Sequence, residues 1–320
     1  LLICQLTKQK FRSCNSLTDL EHHMKFIKLK KSAMTKSEYA DERQAELYKK
    51  FSSDNFLGSE TNVDHYIQWV TFFRRNLHRF AIDYLGIKLH LYQVFMLYLM
   101  GINQFFVVIA SRASAKSFII ALYACIRCIL YPKSMVVLTS GTRKQSKLLV
   151  TEKIEKEIMN MSPAIRKEIS KIIENQSEVV VHFKNHSSIT VVIAGESGRG
   201  YRSTVLIREE FRQIDKYIDD SVLSPFQIVR QASYMMDDYY SSIPELLEEN
   251  IDIYISSSWL DNGHWMWGIV DQAYDEMLRG KPSCLLAFDE AVALKHKIKT
   301  MRYFQTEKKK QDPVTWELEF

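Results

Sequence analysis

The sequence predicts an α/β fold built around a mostly parallel sheet. From residue 105 onward, short apolar runs of strand length alternate with amphipathic stretches, and this alternation is typical of parallel strands joined by crossover helices. The 320 residues are 46% hydrophobic and 25% charged, which is a globular composition and excludes disordered and collagen-like proteins. The longest apolar runs, such as 105–110 and 118–126, are far shorter than the roughly 18 residues that a membrane span needs. We therefore expect no membrane partner.

The N-terminal third divides into two parts. Residues 1–33 carry a net charge of +5 and the remainder of the chain sums to zero, so we expect a basic arm that is disordered or an upstream extension ahead of Met34. Because the body of the protein is neutral, its overall charge gives no argument for nucleic-acid binding. Residues 34–103 are predicted to be helical, with apolar residues at helical spacing from Asp64 to Tyr84 and from Leu91 to Met100.

Residues 104–295 are predicted to form the α/β core. The run 105–110 is a predicted strand, followed by a helix over 117–130, a strand over 135–139 and a helix over 143–159. The segments 178–183 and 188–194 flank a turn and predict a hairpin within the sheet or at its edge. Further strands are expected at 204–207 and 253–256, separated by a mostly helical insertion at 219–250. Helices over 265–278, over 301–310 and through the C-terminal segment 296–320 complete the prediction.

The segment that follows the first strand has the context of a phosphate-binding P-loop, namely strand, loop and helix. In such a loop the backbone N–H groups and the helix N-terminus hold phosphates, the lysine reaches the β and γ oxygens, and the serine hydroxyl binds Mg²⁺. Both glycine positions of the usual GxxxxGK[ST] pattern are alanine here, so the match by pattern alone is weak. The candidate loop comprises Ala110, Ser111, Arg112, Ala113, Ser114, Ala115, Lys116 and Ser117.

Two further motifs support this interpretation. Glu209 and Glu210 follow the strand at 204–207, where one carboxylate of an ATPase holds Mg²⁺ and the next positions the attacking water. Tyr92 and Gln93 precede the loop strand, and an amide can pair with the edge of adenine because it offers both a donor and an acceptor. The order and spacing of the three motifs are more specific than any one of them.

With these motifs in place, the chain from about residue 63 to its C-terminus resembles the ATPase half of the large terminase subunit, the motor that packages DNA into tailed-phage heads. The resemblance rests on these segments: Tyr92-Gln93, the arginine-bearing loop Ser111-Arg112 with Lys116-Ser117, Arg199-Gly200, Glu209-Glu210-Phe211-Arg212, residues 222–240, and the coupling motif Tyr254-Ile255 with Ser256, Ser257 and Ser258.

The resemblance implies a RecA-like P-loop NTPase that hydrolyses ATP with Mg²⁺ and moves double-stranded DNA in the host cytoplasm. It implies that Lys116 holds phosphate, that Ser117 and Glu209 serve the metal, that Glu210 positions water, and that Arg112 contacts the γ-phosphate. The coupling serines would report the phosphate state. Implied partners are the portal protein, the small terminase subunit and further copies of this chain in a ring. Because only helices are expected after residue 289, we expect the family's nuclease domain to be missing from this chain.

Three residues depart from the family pattern: Ala115, Glu209 in place of aspartate, and Arg208 at a normally apolar strand position. These departures leave two alternatives open. One is a nucleotide-binding assembly protein, such as a degenerate prophage copy, that hydrolyses ATP weakly or not at all. The other is a helicase of related fold without a packaging role.

Overall fold

The computed structural model describes residues 60–142, 147–175, 178–228, 231, 233–259 and 263–319. The predicted arm at 1–33 and the first part of the predicted helical segment 34–103 lie outside these residues, as do positions 143–146 of the predicted helix over 143–159. No helix within the described part of the chain combines the length and the apolar content that crossing a bilayer requires.

The strands form a single mixed sheet that is mostly parallel, as predicted. They are β1 Phe105–Ala110, β2 Met135–Ser140, β3 Ile169–Glu174, β4 Glu178–Phe183, β5 Ser188–Ile193, β6 Val205–Glu209, β7 Ile251–Ser256 and β8 Ser283–Phe288. Their order across the sheet is β3-β4-β5-β2-β6-β7-β1-β8. The six strands from β5 to β8 pair in parallel, whereas β4 runs antiparallel to both β3 and β5. The predicted hairpin is therefore β4 and β5, joined to the parallel strands through β2.

The helices are α1 Glu60–Arg75, α2 Leu91–Ile102, α3 Lys116–Leu130, α4 Leu149–Ile158, α5 Pro163–Glu168, α6 Trp265–Leu278, α7 Glu290–Lys295, α8 Met301–Lys310 and α9 Pro313–Glu319. Shorter helical turns are Leu77–Arg79, Phe80–Tyr84, Met159–Met161, Glu196–Gly198, Phe211–Gln213, Lys216–Ile218, Asp219–Leu223, Ser224–Phe226, Ser233–Met236, Asp238–Ser241 and Pro244–Leu246.

Apolar side chains cover both faces of the sheet because successive residues of a strand point to opposite sides. In β1, Phe106 and Val108 join the core on the face that contains α2 and α3, and Val107 joins the core on the face that contains α6. The most buried helix is α3, in which every residue from Phe118 to Cys128 is buried. This double coverage explains why β1 is a continuous apolar run.

Three features differ from the sequence predictions. The helix expected over 64–84 is interrupted at Asn76, so that α1 ends at Arg75 and short helical turns follow. The insertion 219–250 consists of short helical turns of three to five residues in its described part. Two strands, β3 and β8, were not predicted, and both lie at the edges of the sheet, where β8 pairs with β1 along six residues.

Arg208, which occupies a strand position that is usually apolar, is fully buried between two carboxylates. Its guanidinium pairs with Asp219 and, at 2.5 Å, with Asp252, and it lies 4.2 Å from the centroid of the Tyr254 ring. Burial opposes ionisation, but Asp252, Tyr254 and Asp219 outweigh it and raise the pKa of Arg208. The arginine therefore ties β6 to β7 and to the start of the insertion, which accounts for its place in the core.

Candidate functional site

The loop between β1 and α3 leaves the helix N-terminus open. Ala113 and Ala115 both adopt left-handed backbone angles, with φ of 66° and 54°, where glycine is usual. Helix α3 then begins at Lys116 without a hydrogen-bonded side-chain cap. The first N–H groups of a helix have no partner within it, and together with the helix dipole they favour an anion at that end. The start of α3 is therefore a position that favours an anion, even though alanines occupy the left-handed positions of the loop.

Hydrogen bonds within and around the loop fix its shape. Ser114 Oγ donates to the carbonyl of Ser111 at 2.8 Å, and the Ser111 N–H donates to the carbonyl of Phe288 at the end of β8, at 2.9 Å. Tyr92 in α2 donates its hydroxyl to the Ser114 carbonyl at 2.8 Å. Burial raises the pKa of Tyr92 to about 12, so its hydroxyl stays protonated as a donor. The loop is anchored from both the helical segment and the sheet.

Lys116 is largely buried, and its ammonium group faces the acidic pair. Its Nζ donates to the Ala110 carbonyl at 2.6 Å and lies 3.6 Å from Glu210 Oε1. Burial lowers the pKa of Lys116, and the negative charges of Glu210 and Glu319 oppose that shift. An incoming phosphate would offer Lys116 a stronger acceptor than the carbonyl it now contacts.

Ser117 and Glu209 meet across the gap between α3 and β6, where the Ser117 hydroxyl donates to the Glu209 carboxylate. Burial raises the pKa of Glu209, although the Ser117 hydrogen bond acts in the opposite direction. Among the described residues, no group of three or more His, Cys, Asp or Glu side chains is placed to hold a metal ion by itself. A hydroxyl and one carboxylate do fit Mg²⁺, which prefers oxygen ligands and usually completes its shell with water and substrate phosphates.

Glu210 is held against the end of β7. Its backbone has a φ of 51°, an unfavourable value for a residue with a side chain. Glu210 Oε2 accepts hydrogen bonds from Ser256 Oγ at 3.2 Å and from Ser257 Oγ at 3.3 Å. Since β7 lies between β1 and β6, the predicted coupling serines stand between the loop and the acidic pair. The third serine, Ser258, contributes its carbonyl, which accepts a hydrogen bond from Arg212.

Gln93 and Arg112 both have protein partners where the sequence analysis expected nucleotide contacts. Gln93 is buried, and its Oε1 accepts from the His90 N–H at 2.9 Å, so this oxygen caps its own helix. Arg112 forms a two-point ion pair with Glu319 in α9, at 2.7 Å and 3.0 Å. The expected contacts of Gln93 with adenine and of Arg112 with γ-phosphate stay predictions.

Arg212 and Glu319 belong to this site, and the sequence analysis assigned neither of them a role in it. Arg212 Nε lies 3.4 Å from Glu210 Oε2, and Arg212 Nη2 donates to Glu319 Oε1 at 2.6 Å. The sequence held a signal for Arg212, because this residue lies two positions after the acidic pair. No sequence signal identifies Glu319, because its position depends on where α9 docks.

Structural comparison shows that the chain has the RecA-like fold of phage large-terminase ATPase domains. The alignment with the large terminase ATPase domain of Thermus phage P74-26 covers 75% of this chain and 95% of that domain, at 12% identity and a TM-score of 0.51. The HK97 bacteriophage large terminase aligns over 73% of this chain at 13% identity and a TM-score of 0.52, and the alignment spans only 50% of that protein. No protein-family profile and no curated sequence matches the chain.

Proposed function

We propose that this chain is the ATPase motor of viral DNA packaging, coupling ATP hydrolysis to the translocation of double-stranded DNA. The observation that supports this most is the convergence of Lys116, Ser117, Glu209 and Glu210 at the carboxyl ends of β1 and β6, with the serines of β7 between them. Ligands of α/β sheets bind at this edge of the strands.

Each of these groups has a distinct task. The loop N–H groups and Lys116 hold the β and γ phosphates, and Ser117 and Glu209 hold Mg²⁺, which would neutralise charge on those phosphates. Glu210 accepts a proton from, or orients, the attacking water. Because Ser256 and Ser257 bond the same Glu210 carboxylate, a change at the γ-phosphate would be felt at the end of β7.

The packaging role rests on the fold that this chain shares with terminase ATPase domains, together with the ATPase site. On this basis its partners are double-stranded DNA, a portal protein, a small terminase subunit and further copies of the chain arranged as a ring in the cytoplasm of an infected host. Because the alignment spans half of the HK97 large terminase, activities located elsewhere in such proteins are not part of this proposal.

A nucleotide-binding protein that does not hydrolyse ATP is the second candidate, and one observation favours it. Burial raises the pKa of Glu209, which disfavours the ionised carboxylate that a magnesium site requires. Bound Mg²⁺ acts in the opposite sense, since a cation stabilises the ionised form. Measured turnover therefore separates the two candidates.

The test compares wild type with Lys116→Ala in Mg-ATP binding and in phosphate release. The substitution removes a contact made in both the ground and the transition state, so we expect weaker binding together with slower hydrolysis. The matched control is Lys156→Ala, which removes an exposed lysine paired with Glu152 on α4 and should change neither quantity. Equal ATP affinity in wild type and Lys116→Ala would contradict the nucleotide site. Binding that depends on Lys116 without phosphate release from wild type would instead support the second candidate.

A further inference from the structure

The Glu319 carboxylate occupies a cationic site beside the loop. Its Oε1 accepts from Arg212 Nη2 at 2.6 Å and from Arg112 Nη2 at 3.0 Å. Its Oε2 accepts from Arg112 Nε at 2.7 Å and lies 3.3 Å from Ser257 Oγ, whose single proton it shares with Glu210. Two arginines and a hydroxyl thus converge on one anionic group. Guanidinium groups bind carboxylate and phosphate in the same two-point manner.

Glu319 lies at the end of helix α9, and the loop binds its backbone carbonyl as well as its side chain. The Arg112 N–H donates to the Glu319 carbonyl at 2.6 Å, so the end of α9 occupies one of the N–H groups of the loop. Burial would raise the pKa of Glu319, but hydrogen bonding and charge from Arg212 and the charge of Arg112 lower it below its usual value. The group at this site is therefore an anion held by two cations.

Arg212 is fixed in the protein independently of Glu319. Its side chain is only 4% exposed, its Nη1 donates to the Ser258 carbonyl at 2.9 Å, and its guanidinium lies 5.1 Å from the centroid of the Trp259 ring. Its Nε is buried 3.4 Å from Glu210 Oε2 and has no hydrogen-bond partner among the residues that the structure describes. A buried arginine with a donor to spare, next to the residue that positions water, is placed to bind a further anion.

We propose that Arg212 joins Arg112, whose contact with the γ-phosphate the family resemblance already implies, in binding the terminal phosphate of ATP, and that Glu319 occupies this site until ATP displaces it. This inference rests on the proposed nucleotide site, and it adds the group that distinguishes the triphosphate from the diphosphate. ADP has no γ-phosphate to replace Glu319, so it binds with α9 in place. ATP must compete with the carboxylate, and its binding releases α9 from the loop.

The first experiment measures Mg-ATP and Mg-ADP affinities for wild type, Glu319→Gln and Arg212→Gln. Loss of the charge at Glu319 weakens the competitor, so ATP affinity should increase by about tenfold while ADP affinity changes little. Arg212→Gln should weaken ATP binding by about tenfold or more and leave ADP binding close to wild type. The controls lie outside the site: Glu307→Gln on α8 removes a carboxylate paired with Lys310, and Arg166→Gln in α5 removes an exposed guanidinium.

The second experiment follows amide exchange in residues 313–319 of wild type. Protection of this helix should fall on addition of Mg-ATP and persist with Mg-ADP. An unchanged ATP-to-ADP affinity ratio in Glu319→Gln, or protection that ATP leaves intact, overturns the inference while the nucleotide site stands. Absence of any nucleotide binding in both wild type and Glu319→Gln overturns the proposed function and this inference together. Since Glu319→Gln is a mild change at the end of a helix, the test does not depend on whether Arg212→Gln folds.

Discussion

The ammonium group of Lys116 lies 3.6 Å from the carboxylate of Glu210, although the two residues are 94 positions apart in the chain. Lys116 begins the helix after β1, and Glu210 follows β6, so the contact exists only because both strands end at the same edge of the sheet. The two side chains form an ion pair across this edge. In the proposed site, the phosphates of a nucleotide would bind between these two side chains, and Glu210 would face the γ-phosphate.

Glu210→Gln should separate nucleotide binding from turnover. The amide keeps the size of the side chain and can still accept from Ser256 and Ser257, but it cannot take a proton from water. We expect ATP affinity close to wild type and a loss of about 10²-fold or more in phosphate release. The control is Glu174→Gln on the edge strand β3, which removes an exposed carboxylate paired with Lys147. Unimpaired hydrolysis by Glu210→Gln would remove this residue from the mechanism.

Ala115→Gly should be tolerated or stabilising, in contrast to the usual effect of glycine. Ala115 has a φ of 54°, a conformation that costs a residue with a side chain about 1–2 kcal/mol. The added freedom of glycine in the unfolded chain offsets about 0.5–1 kcal/mol of that gain. We expect a free energy of unfolding between unchanged and about 1.5 kcal/mol higher, measured by urea titration. Ala121→Gly, inside α3, should instead lose at least about 1 kcal/mol, and an equal loss at both positions would disagree with the left-handed geometry.

Arg208→Met should be strongly destabilising. Removal of one partner from a buried ion pair leaves an uncompensated charge, and here Asp219 would stay buried without its guanidinium. The expected loss is about 3 kcal/mol or more in the free energy of unfolding. Adding Asp219→Asn to Arg208→Met removes the stranded charge and should restore part of the loss, whereas Arg279→Met, on the surface at the end of α6, should cost little. A double variant no more stable than Arg208→Met would mean that packing, and not charge, sets the cost.

Buried strands could be predicted from the sequence more readily than exposed edge strands. Strand β1 is apolar on both faces and appears in the sequence as a continuous hydrophobic run, and β7 contributes the shorter apolar run from Ile253 to Ile255. Strand β3 is an edge strand with exposed Ser170 and Lys171, and it exists through its pairing with β4, a long-range contact that local pattern does not encode. The segment of β8 is apolar and follows Pro282, so its signal was present in the sequence and was overlooked.

Site residues close in sequence to the end of a strand could be predicted, and those that reach the site through distant packing could not. Glu210 directly follows β6, and Lys116 begins the helix that the loop after β1 leads into. Both were predicted because parallel strands bring their carboxyl ends together. Arg112 was expected to face a phosphate, but its contact with Glu319 depends on the docking of α9, which no local pattern determines. Local sequence pattern therefore identified Lys116 and Glu210, whereas the contact between Arg112 and Glu319 was set by tertiary packing.

His78 provides a pH-dependent prediction away from the site. Its Nδ1 is buried with no hydrogen-bond partner in the described part of the chain, and its ring packs edge-to-face on Tyr98 at a centroid distance of 5.4 Å. Burial, assisted by the positive charge of Arg79, lowers the pKa of His78 from 6.5 to about 4. Between these two values the unfolded chain binds a proton that the folded chain rejects. Stability should therefore rise with pH across this window and fall as the pH is lowered through it.

His78→Phe keeps an aromatic ring and removes the titrating group, so it should flatten this part of the profile. We expect urea unfolding of wild type to lose more stability than the variant between about pH 7 and about pH 5, with the difference levelling off near the folded pKa. Arg79→Gln provides the matching control, since loss of the neighbouring charge should raise the pKa of His78, measured by NMR titration, towards its ordinary value. Parallel stability profiles for wild type and His78→Phe would show that this imidazole is solvated and protonates as readily in the folded chain as in the unfolded one.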